Sequence, residues 1–248
     1  MSRTLDLHWP ELAAPYAAAL REAVALILDR FEVWGIVAAG TPLTGNPDRA
    51  SDLDIQVIHA RPQRQRLQRW CSGVPVEIFV NPPEMIRRYF ADERERPCTA
   101  QMLAAGVVIL DRHPVVAELC AEARTWLATP PNLTPAQLTA RRYGAADAYE
   151  NAQDIQARDP ANARLILHEA VGRMIDYAFL SANRPLPRAK TSLAALAELN
   201  PALGQLARDY YLASSPARSF ALAAAIATQT IHTSGFFEWE SPLEEVSA

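Results

Sequence analysis

Two short segments of the sequence alternate between apolar and polar residues, which is the pattern of a β-strand with one buried face. In DLDIQVIH the alternation places the acids Asp52 and Asp54 together, and in VPVEIFV it singles out Glu77. Because successive side chains of a strand point to opposite faces, each acid lies on the face opposite the apolar side chains. If the two strands are neighbours in register, three carboxylates converge on one patch.

Carboxylates that lie this close repel one another unless a cation lies among them. Mg²⁺ is a hard cation that takes oxygen ligands, commonly one or two carboxylates together with substrate phosphates. Asp52, Asp54 and Glu77 therefore predict a magnesium site and a substrate that carries phosphate groups.

The loop before the acids has the features of a phosphate-binding turn. Gly40 has no Cβ, so the backbone there can approach a phosphate closely. Thr41 offers a hydroxyl and a backbone N–H at an expected helix N-terminus, which is a favourable place for an anion. Gly45 permits a second tight turn, and Ser51 directly precedes the acids.

Regular structure falls into two halves joined by TPPNLTP, a proline-rich linker without apolar periodicity. Before the linker we predict strands over 33–40, 52–59, 74–80 and 107–111, and helices over 11–31, 61–73, 82–95, 99–106 and 114–128. After it we predict helices near 136–158, 161–182, 190–198, 201–212 and 216–233. This order predicts the α+β class, with one domain over residues 1–128 and an all-α bundle over 135–248.

Composition excludes several classes of protein. Half of the 248 residues are hydrophobic, which is enough for one large core or two modest ones. The net charge of −4 argues against a general nucleic-acid-binding surface, which is normally basic. No apolar run reaches the length of a membrane span and the N-terminus lacks a signal-peptide pattern, so we expect a cytoplasmic protein without membrane partners.

The order of these residues resembles the signature of the nucleotidyltransferase superfamily, which has the polymerase-β-like fold and includes kanamycin and streptomycin adenylyltransferases. The matching positions are Gly40-Thr41, Gly45, Ser51-Asp52-Leu53-Asp54 and, as the third acid on a later strand, Glu77. The stretch from 81 to 111 is also similar to bacterial two-domain members. The resemblance implies an N-terminal mixed sheet with flanking helices and a C-terminal helical domain that binds substrate.

The activity that this resemblance implies is nucleotidyl transfer. Asp52 and Asp54 would bind one or two Mg²⁺ ions that grip a nucleoside triphosphate, while Gly40 and Thr41 hold its β- and γ-phosphates. An acceptor hydroxyl attacks the α-phosphorus in line and pyrophosphate leaves. Glu77 is then either the general base or a ligand of a second metal ion.

The triphosphate also needs positive partners, because many members of the superfamily carry Arg where this sequence has Thr44. Arg188 and Lys190, the only lysine in the chain, follow two prolines in NRPLPRAKTSL and are candidates for that role. The alternative for Lys190 is a solvated side chain at a helix start.

The resemblance implies an NTP, with ATP expected, and a small hydroxylated acceptor as partners, such as an aminoglycoside-like antibiotic. Two alternatives stay open at this stage. One is an enzyme that adenylylates a protein or an RNA end, and the other is a non-catalytic nucleotide-binding module of the toxin–antitoxin type. Intact Asp52, Asp54 and Glu77 favour catalysis over the last of these.

Overall fold

The chain consists of two compact units, Met1–Thr129 and Pro130–Ala248. The structure, a computed structural model, describes residues 6–45, 47–48, 50–233, 235–241 and 243. Within those residues the first unit combines a sheet with helices, and the regular structure of the second is helical throughout. The predicted α+β class is therefore confirmed.

The first unit is built on a five-stranded sheet in the order β3-β4-β2-β1-β5. The strands are β1 (Gly35–Ala39), β2 (Leu53–Ile58), β3 (Gln65–Cys71), β4 (Val74–Asn81) and β5 (Val107–Asp111). β2 and β4 run parallel, and every other pair of neighbours is antiparallel. The sheet is therefore mixed, as the sequence predicts.

Helices cover the two faces of the sheet unequally. They are α1 (Ala14–Arg30), α2 (Thr41–Thr44), α3 (Pro83–Asp92), α4 (Cys98–Ala105) and α5 (Val115–Ala128). The alternating apolar residues of β2, β3 and β4 form one buried core with α1. On the opposite face, α3, α4 and α5 form a core against Val37 and Ile58. The polar residues of β2 and β4 lie beside this second core, and the polar face that they form lines a cavity.

The prediction of a basic helix over 61–73 is wrong, because this segment forms β3 and the turn into β4. Cys71 pairs with Val74, so Ser72 and Gly73 make a two-residue hairpin turn, both with positive φ. That geometry suits the right-handed twist of a hairpin. Leu67 and Cys71 are both buried, and a spacing of four places two residues on one face of a strand as well as of a helix.

The second unit is a set of helices that mostly begin at a capping residue followed by proline. They are α6 (Pro135–Ile155), α7 (Pro160–Ser181), a 3₁₀ turn (Ala189–Thr191), α8 (Ser192–Leu199), α9 (Pro201–Leu212) and α10 (Pro216–Thr230). Thr134, Asp159, Asn200 and Ser215 each accept a hydrogen bond from a backbone N–H of the first turn. Proline fits the first helical position because that N–H needs no partner within the helix.

Most of the side chains in the core of the second unit are alanine or leucine. Close packing there depends on small residues: a Cβ added to Gly204 of α9 would lie 2.5 Å from Cα of Ala197 in α8. A Cβ added to Gly172 of α7 would instead have no heavy atom within 4 Å. No helix among the described residues is long and apolar enough to cross a membrane.

These two glycines give a matched test of the packing. Gly204→Ala forces α8 and α9 apart and should lower the free energy of unfolding by ~1–3 kcal/mol, the usual cost of overpacking. Gly172→Ala removes only the flexibility of glycine and should raise it by ~0.5–1 kcal/mol. Urea unfolding followed by circular dichroism measures both. Equal effects of the two substitutions would contradict the close contact between α8 and α9.

Candidate active site

The parallel pairing of β2 with β4 brings two of the predicted acids together. Asp54 lies directly opposite Glu77 in the register of the two strands. Neighbouring strands are ~4.8 Å apart, and directly opposed residues point to the same face. Asp52 lies immediately before β2, two residues upstream of Asp54, and both aspartates are half-buried.

Gly40 and Thr41 form the turn that leads from β1 into the short helix α2. Gly40 has φ 107° and ψ 166°, a conformation that is essentially restricted to glycine. A Cβ at Gly40 would also lie 2.7 Å from the carbonyl oxygen of Asp52. The turn therefore packs directly against the backbone that carries the first acid.

The helix α2 offers fewer N–H groups than an ordinary helix start. Pro42 has no N–H, and the Leu43 N–H donates to the Gly40 carbonyl over 3.1 Å. The Thr41 hydroxyl and N–H are the proposed donors to a phosphate in this turn. Gly45, with φ 97°, ends the helix in the left-handed region, as the predicted second turn requires.

Ser51 has a structural task within the loop. Its hydroxyl is buried, accepts a hydrogen bond from the Asp48 N–H over 2.9 Å and donates to Asp48 Oδ1 over 3.1 Å. The Tyr16 hydroxyl of α1 donates to the Asp48 carbonyl over 3.3 Å. Ser51 thus fixes the approach to Asp52, and its predicted contact with a nucleotide stays a prediction.

Glu77 is held by two residues of β3. Arg66 Nη2 donates to Glu77 Oε2 over 2.6 Å, and Gln68 Nε2 donates to Glu77 Oε1 over 2.5 Å. The Arg66 guanidinium also lies 4.9 Å from the centroid of the Phe79 ring. Each carboxylate oxygen accepts one of these hydrogen bonds and keeps a further lone-pair site, so the two donors orient Glu77 without using its whole capacity as an acceptor.

Arg66 and Gln68 contact a predicted site residue, and the sequence analysis does not identify either of them. The sequence pattern predicts a helix here, which would point these side chains in other directions. The Ser72-Gly73 pair between two short runs was the available signal, because a two-residue loop containing glycine is typical of a hairpin. With β3 in place, the register also puts Gln68 opposite Glu77.

The polar face continues past the acids into a cavity of about 650 Å³. Gln56 of β2 and Asn81 of β4 line it, and both are buried. Gln56 Nε2 donates to the sulfur of Met102 in α4 over 3.6 Å. Gln56 Oε1 is the one buried side-chain polar atom without a hydrogen-bond partner in the described part of the chain.

The donor set fits a hard divalent cation in part. Asp52 and Asp54 supply carboxylate oxygens near the Gly40 turn, and one or two carboxylates plus substrate phosphates are the usual ligands of Mg²⁺. Among the described residues, however, no group of three or more His, Cys, Asp or Glu side chains is arranged to hold a metal ion. The third acid, Glu77, is turned to β3 instead.

The two predicted cations lie in the second unit. Lys190 is exposed in the 3₁₀ turn Ala189–Thr191, and Arg188 is the exposed residue that precedes this turn. Their contact with a triphosphate stays a prediction. In the first unit, β3 supplies Arg66 and its flank supplies Arg64, both of which line the cavity beside the acids.

Comparison with known proteins shows a similarity in fold to a solved structure. No protein-family model matches the chain, and no curated protein matches it. Among solved structures it is similar to a nucleotidyltransferase-like protein from Exiguobacterium sibiricum 255-15, with a TM-score of 0.52 and 14% sequence identity. The match covers 86% of this chain and 73% of that chain. The expected nucleotidyltransferase fold is thus confirmed, and the adenylyltransferase subtype stays a prediction.

The Gly40 turn allows a direct test of the site's construction. Gly40→Ala should lower the free energy of unfolding by at least ~2 kcal/mol, because backbone strain of ~1–3 kcal/mol adds to the clash with the Asp52 carbonyl. Gly45→Asn is the control, since its left-handed conformation suits asparagine and nothing lies within 4 Å of the added Cβ. Chemical denaturation of both variants measures the difference. Equal losses would show that Gly40 and Asp52 are not in contact.

Proposed function

We propose that this protein transfers a nucleotide, AMP from ATP, to a hydroxyl of a small molecule. The observation that carries the proposal is the direct pairing of Asp54 with Glu77 on the polar face of the sheet, beside the Gly40 turn. The fold that the chain shares with a nucleotidyltransferase-like protein supports nucleotidyl transfer in general. Transfer to a protein or an RNA end is the competing proposal.

In this proposal the order of the strands places the two substrates on opposite sides of the acids. The Gly40 turn follows β1, the aspartates belong to β2, and Glu77 lies on β4 with β3 beyond it. In this order the phosphates bind at the β1 turn, where the Thr41 hydroxyl and N–H can contact them. The acceptor hydroxyl then approaches from the β4 and β3 side, next to Glu77.

A Mg²⁺ ion bound by Asp52 and Asp54, alone or with a second ion, would neutralise charge on the triphosphate and on the departing pyrophosphate. Glu77 accepts the proton of the acceptor hydroxyl at a lone-pair site that the bonds from Arg66 and Gln68 leave open. Arg66 and Gln68 keep the carboxylate oriented. If Glu77 instead ligates a second metal ion, it would use the same lone-pair site.

Three arginines and Lys190 supply the positive charge in this proposal. Arg64 and Arg66 lie on the side of the sheet where Glu77 receives the acceptor. Arg188 and Lys190 of the second unit are the proposed contacts to the outer phosphates of the triphosphate. Charge-assisted hydrogen bonds from such groups to phosphate are stronger than neutral ones.

The metal assignment is tested by removing one anionic ligand at a time. Asp52→Asn and Asp54→Asn should each abolish the rise in melting temperature that Mg-ATP gives the wild type, because bound ligand stabilises the folded state. Asp29→Asn, an exposed acid of α1, is the control and should keep the full rise. Differential scanning fluorimetry with and without Mg-ATP measures it. An undiminished rise in melting temperature in both Asp52→Asn and Asp54→Asn would contradict their assignment as metal ligands.

Substitution of Glu77 distinguishes a role in Mg-ATP binding from a role in the chemical step. Glu77→Gln keeps a hydrogen-bonding side chain of the same shape but cannot take a proton, so turnover should fall by ~10²–10⁴-fold while Mg-ATP still binds. The assay follows label from α-labelled ATP into a panel of hydroxylated small molecules and into cell lysate. Glu84→Gln, on the exposed side of α3, is the control. Wild-type turnover in Glu77→Gln would exclude Glu77 as the general base. Loss of Mg-ATP binding in the same variant would indicate that Glu77 is a metal ligand.

A further inference from the structure

A second cavity lies near the end of β2 that is far from the Gly40 turn. Ile58, the last residue of β2, is about 13 Å along the strand from Asp54, and the cavity is lined by residues that follow it. Val80 of β4 also lines this cavity, and its side chain belongs to the core that faces α1. The cavity therefore reaches the α1 side of the sheet, whereas the acids lie on the opposite face.

Three arginines give this second cavity a positive charge. Arg30 is the last residue of α1, and Arg61 and Arg64 belong to the loop between β2 and β3. Glu32 is the one carboxylate among the described residues that line the cavity. The carbonyl end of α1 adds only about half a negative charge. Positive charge therefore exceeds negative charge in this cavity.

The charges of these three arginines are not balanced by protein carboxylates. Within the described ranges of the chain, Arg30, Arg61 and Arg64 form no ion pair. Arg64 Nη1 donates to the Tyr89 hydroxyl, which is uncharged. Arg66 on β3 differs, because its guanidinium is paired with Glu77. The arginines of the second cavity thus keep N–H donors that an anion can use.

His59 adds a buried polar side chain to the same cavity, and one of its ring nitrogens is unused. The residue is 5% exposed, and Nε2 donates to the Gln63 carbonyl over 2.8 Å, because a carbonyl can only accept. Nδ1 has no partner among the described residues. It is nevertheless reached by solvent, since Gln56 Oε1 is the one fully buried side-chain atom there that lacks a partner. The Nε2 bond also fixes the loop that carries Arg61 and Arg64.

We propose that this second cavity binds a small molecule through a phosphate group, held by Arg30, Arg61 and Arg64 with His59 beside them. The planar guanidinium group matches phosphate with two parallel hydrogen bonds, which makes arginine well suited to this task. The cavity volume of about 420 Å³ lies within the roughly 300–1,000 Å³ typical of small-molecule sites. That volume leaves room for more than the phosphate, such as a sugar ring. The proposal does not depend on nucleotidyl transfer.

A nucleic-acid strand also carries phosphates, but the charge of the chain favours a small molecule. The net charge is −4, and a surface that binds nucleic acid is normally basic over a wide area. The unpaired arginines described here line a single cavity of limited volume. A small phosphorylated molecule needs only this one cavity.

Titration calorimetry without Mg²⁺ measures binding to the wild type. The probes are glucose 6-phosphate, ribose 5-phosphate and glycerol 3-phosphate, with glucose as the uncharged control and decathymidylate as the nucleic acid. At least one phosphorylated probe should bind, glucose should not, and added salt should weaken the binding because it screens exposed charges.

Substitution of the arginines locates the binding site. Arg61→Gln and Arg30→Gln should each weaken the phosphorylated probe at least ~tenfold, the worth of one charge-assisted hydrogen bond. Arg124→Gln, an exposed arginine of α5 that does not line the cavity, is the matched control and should leave the affinity unchanged. Arg64 stays intact because it lines both cavities. Arg30 and Arg61 are exposed, so both variants should keep the melting temperature of the wild type.

Three results would overturn the phosphate site. They are no binding of any phosphorylated probe, equal binding of glucose, and unchanged affinity in both Arg61→Gln and Arg30→Gln. Tighter binding of decathymidylate that the same substitutions weaken would assign the cavity to nucleic acid instead.

Mg-ATP distinguishes this proposal from the proposed function. Arg61→Gln should keep the full rise in melting temperature with Mg-ATP, because Arg61 does not line the cavity beside the acids. Loss of that rise would show that the second cavity is part of the nucleotide site and would overturn a separate phosphate site. Failure of the wild type to bind Mg-ATP would contradict the proposed function alone, since binding of a phosphorylated probe and its loss in Arg61→Gln would still stand.

Discussion

The register between β2 and β4 is the constraint on which the site depends. Side chains alternate along a strand, so a slip of one residue would turn Glu77 to the buried face and bring apolar residues to the polar one. The apolar positions of both strands pack against α1, and moving them from that core would be costly. The hydrophobic core thus fixes which acids meet.

The parts of the fold that follow local rules could be predicted from the sequence. Period-two alternation predicts β2 and β4, and the prediction of a helix near 201–212 agrees with α9. β3 could not be assigned in this way, because its two buried residues, Leu67 and Cys71, fit either period. Its polar residues point to a partner strand, and the sequence does not show where that strand lies.

In the candidate site too, residues in a short continuous pattern could be predicted, whereas contacts between different strands and helices could not. The signature acids and the Gly40 turn come from a short, continuous pattern, and the structure places Asp54 beside Glu77. The engagement of Glu77 by Arg66, and the unpaired carbonyl of Gln56, depend on which side chains of other elements face them. A single sequence carries no direct record of such contacts, so they could only be found in three dimensions.

β3 lies at the edge of the sheet, so its residues are less constrained by neighbouring strands than those of β2 and β4. β2 and β4 have neighbours on both sides, so their residues are constrained by the strands that flank them. β3 pairs with β4 alone, and its outward residues can change at little cost to the rest of the unit. Under the proposed function, substitutions along this edge would alter the surroundings of Glu77 while leaving its pairing with Asp54 intact.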